Sequence, residues 1–193
     1  MLATPDGELE YIADFIPADR ADVLFDRLRE ELAWHEEDIA IAGRTIRVPR
    51  LVCWYGDPGA HYRYSGTGHD PLPWTDLLNL LKLEVEQRSG RRFNSVLGTL
   101  YRDGNDSLGW HADKERELGP EPCIASLSFG AERRFELRHN NSREAVGLTL
   151  GHGSLLFMGG SLQRHWRHRV PKVPAVRSPR INLTFRLIFS PFT

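Results

Sequence analysis

Cysteine is scarce in this 193-residue chain, which contains only Cys53 and Cys123. Two thiols are too few for a disulfide framework or a thiolate metal site, and they fit a reducing cytosol, so we expect a cytoplasmic protein. A single bond between them is left open. The sequence also lacks any run of about 18 apolar residues, which argues against a membrane-spanning helix. Its first residues have no basic start followed by an apolar stretch, so no secretory signal is predicted.

Acidic residues are missing from the last quarter of the chain. No Asp or Glu follows Glu144, although seven lysines and arginines do. The first 38 residues are strongly acidic, and the net charge is therefore only −1. Segregated charge of this kind can form a cationic face for a polyanion, or the two ends can neutralise each other in the fold. The charge pattern alone leaves both interpretations open.

The apolar pattern predicts helices first and short strands afterwards, within one domain. Residues 17–34 and 71–89 have helical spacing of apolar residues, and residues 39–48 suggest a hairpin that turns near Ala42 and Gly43. From residue 93 onward, glycine-rich turns separate short strands, which favours a β-sandwich or jelly roll. The predicted strands are 95–101, 123–129, 134–139, 146–150, 154–158, 168–170 and 181–189.

His111 and Asp113 are two residues apart, so in an extended segment both side chains point to the same side. A third ligand must come from elsewhere, and His168 beside a predicted strand is the first candidate. Two histidines and one carboxylate can hold Fe(II) with its opposite face open, or zinc with an activated water for hydrolysis. His165 competes with His168, whereas His139 and His152 are weaker alternatives that suit a strand end and a turn.

The segment from Arg180 to Arg186 alternates, with polar residues on one face and Ile181, Leu183 and Phe185 on the other. A buried, unpaired guanidinium is costly, so this polar face calls for an anionic partner, and a carboxylate matches an arginine well. Tyr101, on the strand before His111, can donate a further hydrogen bond. The alternative is that the arginines pair with the acidic N-terminal helix.

Several different short motifs are spread along most of the chain, at residues 48–50, 55–57, 62–66, 101–104, 111–118, 124–130, 152–156, 165–168 and 180–186. Together they resemble AlkB-type Fe(II)/2-oxoglutarate-dependent dioxygenases from about residue 44 to residue 189. The R-x-N-x-T-x-R pattern of residues 180–186 is the most specific of them. Tyr64-Ser65-Gly66 and the acidic stretch after His111 most resemble the branch that includes duplex-DNA repair enzymes.

The resemblance implies an α+β fold: a double-stranded β-helix (jelly roll) with N-terminal helices packed on the outside and a nucleotide-recognition lid. Residues 1–193 would form one dioxygenase domain, with the helices and lid in about 1–92 and the catalytic core in about 93–193. The implied ligands of Fe(II) are His111, Asp113 and His168. Arg186 would pair with the distal carboxylate of 2-oxoglutarate, supported by Arg180, Asn182 and Tyr101. Thr99 stands where much of the family has an asparagine that bonds the co-substrate.

The resemblance also implies a substrate site. The damaged base would stack between His111 and Tyr64, with Tyr62 and Ser65 nearby, and Glu115 would contact its exocyclic group. The duplex-acting relative fills the gap left by the flipped base with a bulky finger residue, and the matching residues here are Ile41 and Ala42. Because Ala42 is small, efficient action on duplex DNA is in doubt. Candidate phosphate contacts are Arg44, Arg47, Arg50, Arg63, Arg164, Arg167 and Arg169.

The expected activity is oxidative dealkylation of N-alkylated bases, with Fe(II), 2-oxoglutarate and O2 as cofactors and co-substrates. The expected partner is alkylated DNA, single- or double-stranded, or RNA, and we expect a monomer that binds no membrane. Two rival hypotheses remain. One is an oxygenase of the same chemistry that acts on RNA, protein or lipid, and the other is a nucleic-acid-binding module without catalysis.

Overall fold

The computed structural model describes residues 4–41, 43–60, 62–64 and 67–189, and the side chains of all of these except 40, 41, 62–64 and 67–69. Most of the elements are short strands. The helices are α1 (Ala18–Glu31), α2 (Asp76–Ser89), α3 (Leu162–His165) and a short 3-10 helix (Arg116–Leu118). The strands are β1 (Glu8–Ile12), β2 (His35–Ile41), β3 (Arg44–Gly56), β4 (Tyr62–Tyr64), β5 (Thr67–His69), β6 (Ser95–Tyr101), β7 (Leu108–His111), β8 (Ile124–Gly130), β9 (Arg133–His139), β10 (Ala145–Leu150), β11 (Leu155–Gly159), β12 (Trp166–Val170) and β13 (Arg180–Arg186).

Two antiparallel sheets form the body of the molecule. The larger has seven strands in the order β1-β11-β8-β13-β6-β3-β2, and the smaller has four in the order β10-β9-β12-β7. Strand β13 lies in the middle of the larger sheet, between β6 and β8, and all seven of its residues are buried. Buried side chains from both sheets, including Tyr101, Phe135 and Trp166, form one apolar cluster. The predicted jelly roll is confirmed.

Helices α1 and α2 pack on the outer face of the larger sheet. Leu24 and Leu28 of α1 and Leu81 of α2 share a second apolar cluster with Leu183 and Phe185 of β13. Because side chains alternate along a strand, the opposite face of β13 is left to its polar residues. The apolar face of β13 therefore packs against the helices, and its polar face points into the space between the sheets, as the alternation predicts.

Both predicted helices exist, but they are shorter than residues 17–34 and 71–89. Helix α1 ends at Glu31 because the chain folds back, and the Trp34 indole N–H donates to the Leu28 carbonyl at 3.2 Å. Helix α2 begins only after Thr75, whose hydroxyl caps the Leu78 N–H at 3.1 Å. It ends at Gly90, which has φ +65° and suits a left-handed helix cap.

All seven strands predicted after residue 93 are present, within a few residues of their expected limits. The expected hairpin is present too, with Ile39 opposite Ile46 and Gly43 at φ +76° in the turn. Strands β1, β4, β5 and β7 were not predicted. Strands β1, β2 and β3 join the larger sheet, so the segment before residue 92 contributes to the sheet as well as to the helices. The division into lid and core at about residue 92 stays a prediction.

Two smaller expectations also have outcomes. Cys53 and Cys123 are both free thiols, so the disulfide left open by the sequence is not formed. Within the described part of the chain, no helix has the length and apolar character needed to cross a membrane.

Candidate active site

A cavity lined by polar and apolar side chains lies between the two sheets. The largest share of its polar lining comes from the inner face of β13, and the rest comes from β3, β6, β7, β8 and β12 and from Asp113 just after β7. It is lined by Arg50, Leu97, Thr99, Tyr101, Leu108, His111, Asp113, Ser126, Phe135, Leu150, Met158, His168, Val170, Arg180, Asn182, Thr184 and Arg186. The alternation in residues 180–186 therefore predicted one wall of this cavity correctly.

Three candidate metal ligands lie close together in the wall of the cavity. Strands β7 and β12 pair so that His111 and His168 lie opposite each other, and Asp113 follows just after β7 ends. One ligand atom from each of the three residues lies within 4.8 Å of the others. The His111 Nε2 is 4.0 Å from Asp113 Oδ1, and the His168 Nε2 is 3.9 Å from Asp113 Oδ2. The strand register thus joins residues that are far apart in the sequence.

The protonation of these residues suits metal binding. His111 Nδ1 is 2.9 Å from the Gly109 carbonyl, to which it can donate, and this leaves the Nε2 lone pair facing Asp113. Burial lowers the pKa of His168 to about 3, so its imidazole is neutral at pH 7. Burial alone would raise the pKa of Asp113, but Arg186, His111 and His168 outweigh it and lower that pKa to about 2. A neutral imidazole at His168 and an ionised carboxylate at Asp113 are the forms that bind a divalent ion.

The competing histidines are engaged elsewhere. His165 lies in a second cluster with Asp6 and His139, next to the start of β12. His139 Nδ1 accepts the backbone N–H of Ser142 at 2.9 Å, so its Nε2 carries the proton and faces Asp6 Oδ2 at 3.4 Å. This cluster keeps His139 and His165 away from His111 and Asp113.

His152 is engaged as well. Its Nδ1 accepts the Gly130 N–H at 2.8 Å, and its Nε2 lies 3.2 Å from Asp22 Oδ1. Of the histidines weighed beside His111 and Asp113, the structure therefore brings His168 to them, and not His139, His152 or His165.

Arg180 is a buried cation at the cavity wall, with 1% of its surface exposed. Its Nη2 donates to Ser128 Oγ at 2.9 Å and to Asn182 Oδ1 at 2.8 Å, but its Nε and Nη1 have no hydrogen-bond partner. No described carboxylate lies within ion-pair distance of it, and the Tyr101 ring stacks 5.2 Å away. Burial lowers the pKa of Arg180 to about 10, with Tyr101 raising it and Arg133 lowering it further. An anion in the cavity would relieve this cost.

Arg186, at the other end of β13, contacts the candidate metal centre. Its Nη2 donates to Asp113 Oδ1 at 3.0 Å, and both side chains are only 5% exposed. This ion pair holds the Asp113 carboxylate beside the two histidines. The alternative that Arg180 and Arg186 pair with the acidic N-terminal helix is wrong, because both lie on the opposite side of the sheet from α1.

The sequence matches the 2OG-Fe(II) oxygenase superfamily over residues 8–186. This chain belongs to that superfamily. It is 42% identical over 185 residues to the alpha-ketoglutarate-dependent dioxygenase alkB homolog 3 of Bos taurus, covering 91% of this chain and 64% of that protein. It is also 42% identical over 179 residues to the DNA oxidative demethylase ALKBH2 of Mus musculus, covering 87% of this chain and 75% of that protein. The predicted resemblance to AlkB-type dioxygenases is confirmed.

A solved structure gives the same fold at low sequence identity. The structure of OsALKBH1 superposes with a TM-score of 0.68 and 17% identity, over 96% of this chain and all of that chain. This similarity supports the fold alone. The chain spans 64% of the length of the Bos taurus alkB homolog 3 protein that it matches.

The residues of this chain fit the iron and the 2-oxo acid that its superfamily uses. His111, Asp113 and His168 form a two-histidine, one-carboxylate set, which suits Fe(II) with three open positions. The unpartnered Nε and Nη1 of Arg180 fit a carboxylate. A zinc hydrolase would leave that buried cation unexplained, so iron with an anionic co-substrate is the better fit.

Four more residues were predicted to contact the co-substrate or the substrate, and the structure shows where they lie but not what they bind. Thr99 and Tyr101 line the cavity, and Thr99 lies opposite Asn182 in the paired strands. Arg50 also lines it, and its Nη1 donates to the Ser107 carbonyl at 3.2 Å. Glu115 lies outside the lining, half-buried, and its Oε2 has no hydrogen-bond partner.

The expected base-binding and finger residues lie at the edge of the described structure or beyond it. Tyr62 and Tyr64 belong to β4 and Ile41 ends β2, but their side chains lie outside the described residues. Ser65 and Ala42 lie outside the described residues altogether. Their roles stay predictions.

Two residues that contact the candidate metal ligands were not predicted from the sequence. Gln163 Oε1 accepts the Asp113 N–H at 3.0 Å, and the Phe135 ring lies 5.3 Å from that of His168. A lone glutamine carries no metal-binding pattern, so nothing in the sequence marks Gln163. Phe135 alternates with exposed arginines along β9, and that alternation could have identified it as facing inward.

Proposed function

We propose that this chain is an Fe(II)- and 2-oxoglutarate-dependent dioxygenase that removes alkyl groups from base nitrogens in nucleic acid, with DNA as the substrate. The observation that carries the chemistry is a two-histidine, one-carboxylate set sharing one cavity with a buried arginine that has no acidic partner among the described residues. The substrate class is supported by the relatives, one of which is named a DNA oxidative demethylase.

His111, Asp113 and His168 would hold the iron on one side and leave the other side open to the cavity. When bound, iron, 2-oxoglutarate and O2 supply the oxidation of the alkyl carbon, with succinate and CO2 as products, and the hydroxylated group then leaves as an aldehyde. His111 is the ligand nearest to solvent, at 25% side-chain exposure against 4% for His168. The substrate would therefore approach from the His111 side.

Arg180 would bind the distal carboxylate of 2-oxoglutarate. The sequence-based expectation assigned that role to Arg186, but the Arg186 guanidinium is already ion-paired with Asp113 at the metal ligands. We assign the distal carboxylate to Arg180 because no carboxylate among the described residues lies within ion-pair distance of it, whereas Arg186 already has Asp113 as its partner. Arg186 would hold Asp113 in place and face the end of the co-substrate nearest the metal. Asn182, Thr99 and Tyr101 would complete the polar wall.

Several apolar side chains would exclude water from the reacting centre. Leu97, Phe135 and Val170 line the cavity among its polar groups. A base in a duplex cannot reach this cavity without leaving the stack, and lesions that block pairing cost less to extrude. The extruded base would stack on His111 and Tyr64, and a cationic, methylated base gains from an electron-rich ring.

Exposed arginines on the outer face of the smaller sheet support a polyanionic substrate. Arg138 of β9 and Arg167 of β12 are both exposed and lie directly opposite each other in the paired strands. Like charges in such a pair repel, and a phosphate group between them would offset that repulsion. These two are the cross-strand candidates for backbone contacts.

The test is repair of a defined lesion. The protein, with Fe(II), 2-oxoglutarate and O2, is incubated with a single-stranded oligonucleotide containing 1-methyladenine or 3-methylcytosine, and the base is measured by mass spectrometry. We expect conversion to the unmodified base by the wild type and none by His168→Ala. If peptides or lipids stimulate succinate formation and neither oligonucleotide is repaired, the substrate class is wrong. Binding of the oligonucleotide without any succinate formation would favour the binding-module alternative.

A further inference from the structure

Gln163 is a buried polar residue whose side chain contacts the candidate metal centre from outside it. It is 2% exposed, and its Oε1 accepts the backbone N–H of Asp113 at 3.0 Å. Its Nε2 points to the Met158 sulfur at 3.8 Å, which is a weak acceptor. Burying an amide group is costly unless its polar atoms are hydrogen-bonded. The bond to the Asp113 N–H is therefore the interaction that chiefly offsets the cost of burying Gln163.

Asp113 has no strand partner of its own. Strand β7 ends at His111, and residues 112–115 have no regular structure. The Asp113 N–H is buried with the rest of the residue, so it needs an acceptor that no strand supplies. Gln163 supplies it from one side, while Arg186 holds the Asp113 carboxylate from the other at 3.0 Å.

Gln163 also connects two ligand-bearing segments. It lies in α3, which runs directly into β12, the strand that carries His168. The pairing of β7 with β12 aligns His111 with His168, but it does not reach Asp113. The bond from Gln163 is therefore the contact by which the His168 segment holds the backbone of the carboxylate ligand.

We propose that Gln163 is a positioning residue that keeps the Asp113 carboxylate against the two histidines, so that the three ligands are preorganised before the metal binds. This inference rests on the metal centre proposed above. Residues that orient metal ligands through hydrogen bonds typically change metal affinity by about 10–100-fold when they are altered.

The test compares Co(II) binding to the metal-free protein, followed by its visible absorption and by competition with a chelator. Gln163→Met keeps the size of the side chain but removes the acceptor, and we expect Co(II) affinity to fall roughly tenfold or more. Gln163→Glu keeps an acceptor oxygen and should restore most of that affinity. Asn140→Ala is the matched control, because Asn140 donates to the Arg164 carbonyl of the same helix from the exposed side, at 3.2 Å. It should leave the affinity unchanged.

Amide hydrogen exchange gives a second readout, and its wild-type measurement does not depend on any variant folding. In the metal-free wild type, the Asp113 N–H should exchange slowly although it lies beyond the end of β7, and it should exchange faster in Gln163→Met. Rapid exchange in the wild type, or equal Co(II) affinity in wild type and Gln163→Met, would overturn the positioning role and leave the metal centre intact. If the wild type binds no Co(II) or Fe(II), the proposed metal centre fails, and the positioning role fails with it.

Discussion

Arg180 is the residue whose environment is hardest to explain without a bound anion. A guanidinium that is 1% exposed, with two nitrogen positions unpaired and no described carboxylate nearby, lowers the stability of the ligand-free fold. Proteins retain such costs at sites where the missing partner is a ligand. The same residue should therefore matter to binding and act against stability.

Replacing Arg180 tests both sides of this argument. Arg180→Met should raise the KM for 2-oxoglutarate roughly 100-fold, because it removes charge-assisted bonds to a buried carboxylate. It should leave the melting temperature of the ligand-free protein unchanged or higher. The control is Arg177→Met, which removes an exposed arginine from the segment just before β13. It should change neither the KM nor the melting temperature. An unchanged KM in Arg180→Met would contradict the assignment of the distal carboxylate.

Thr99 gives a second prediction for a single residue. It is 5% exposed, lines the cavity and lies opposite Asn182, at the place where much of the family has asparagine. Thr99→Asn should lower the KM for 2-oxoglutarate about fivefold, as expected for one hydrogen bond of about 1 kcal/mol. Thr99→Val should raise it. If Thr99→Val has the wild-type KM, the hydroxyl makes no contact with the co-substrate.

Strand β12 and the short helix before it separate two histidines that look equivalent in the sequence. His168 faces the cavity opposite His111, whereas His165 stacks with His139 near the start of β12, with ring centres 6.1 Å apart. His168→Ala should abolish binding of Fe(II), and His165→Ala should retain it, as measured by anaerobic titration. Loss of binding in His165→Ala together with retention in His168→Ala would place the third ligand at His165 instead.

The hairpin of β2 and β3 bears on whether the protein prefers duplex or single-stranded nucleic acid. Its turn follows Ile41, and the expected finger position there is the small Ala42. Ala42→Phe should raise the ratio of repair on duplex to repair on single-stranded oligonucleotides, since a bulky residue can fill the gap left by the flipped base. The ratio is measured with the same lesion in both substrates. An unchanged ratio in Ala42→Phe and in Ile41→Phe would argue against a finger at this turn.

Strands with a strong period of two were predictable at the level of the element, and the short strands β1 and β7 were not. Strand β13 alternates along its whole length, so its two faces and its place between helices and cavity followed from the sequence. Strand β7 has only four residues, one of them Gly109, which is too short a segment to show an alternating pattern. Strand β1 has five residues and was missed for the same reason.

At the scale of the whole molecule, the sequence could name the residues of the site but not their partners. The motif identified His111, Asp113, His168, Arg180 and Arg186 as one group. It could not show that Arg186 is paired with Asp113, or that Gln163 holds the Asp113 backbone, because these contacts join residues 73 and 50 positions apart. Such pairings depend on how the two sheets face each other. The distal-carboxylate role that we propose for Arg180 in place of Arg186 rests on that tertiary arrangement.

The most direct test of the central claim is anaerobic addition of 2-oxoglutarate to the Fe(II)-loaded protein, recorded by visible absorption. A bidentate 2-oxo acid on ferrous iron gives a metal-to-ligand charge-transfer band, and we predict that this band appears in the wild type. It should be absent in His168→Ala and should need far more 2-oxoglutarate in Arg180→Met. If saturating Fe(II) and 2-oxoglutarate produce no such band in the wild type, the cavity is not a dioxygenase site and the account is wrong.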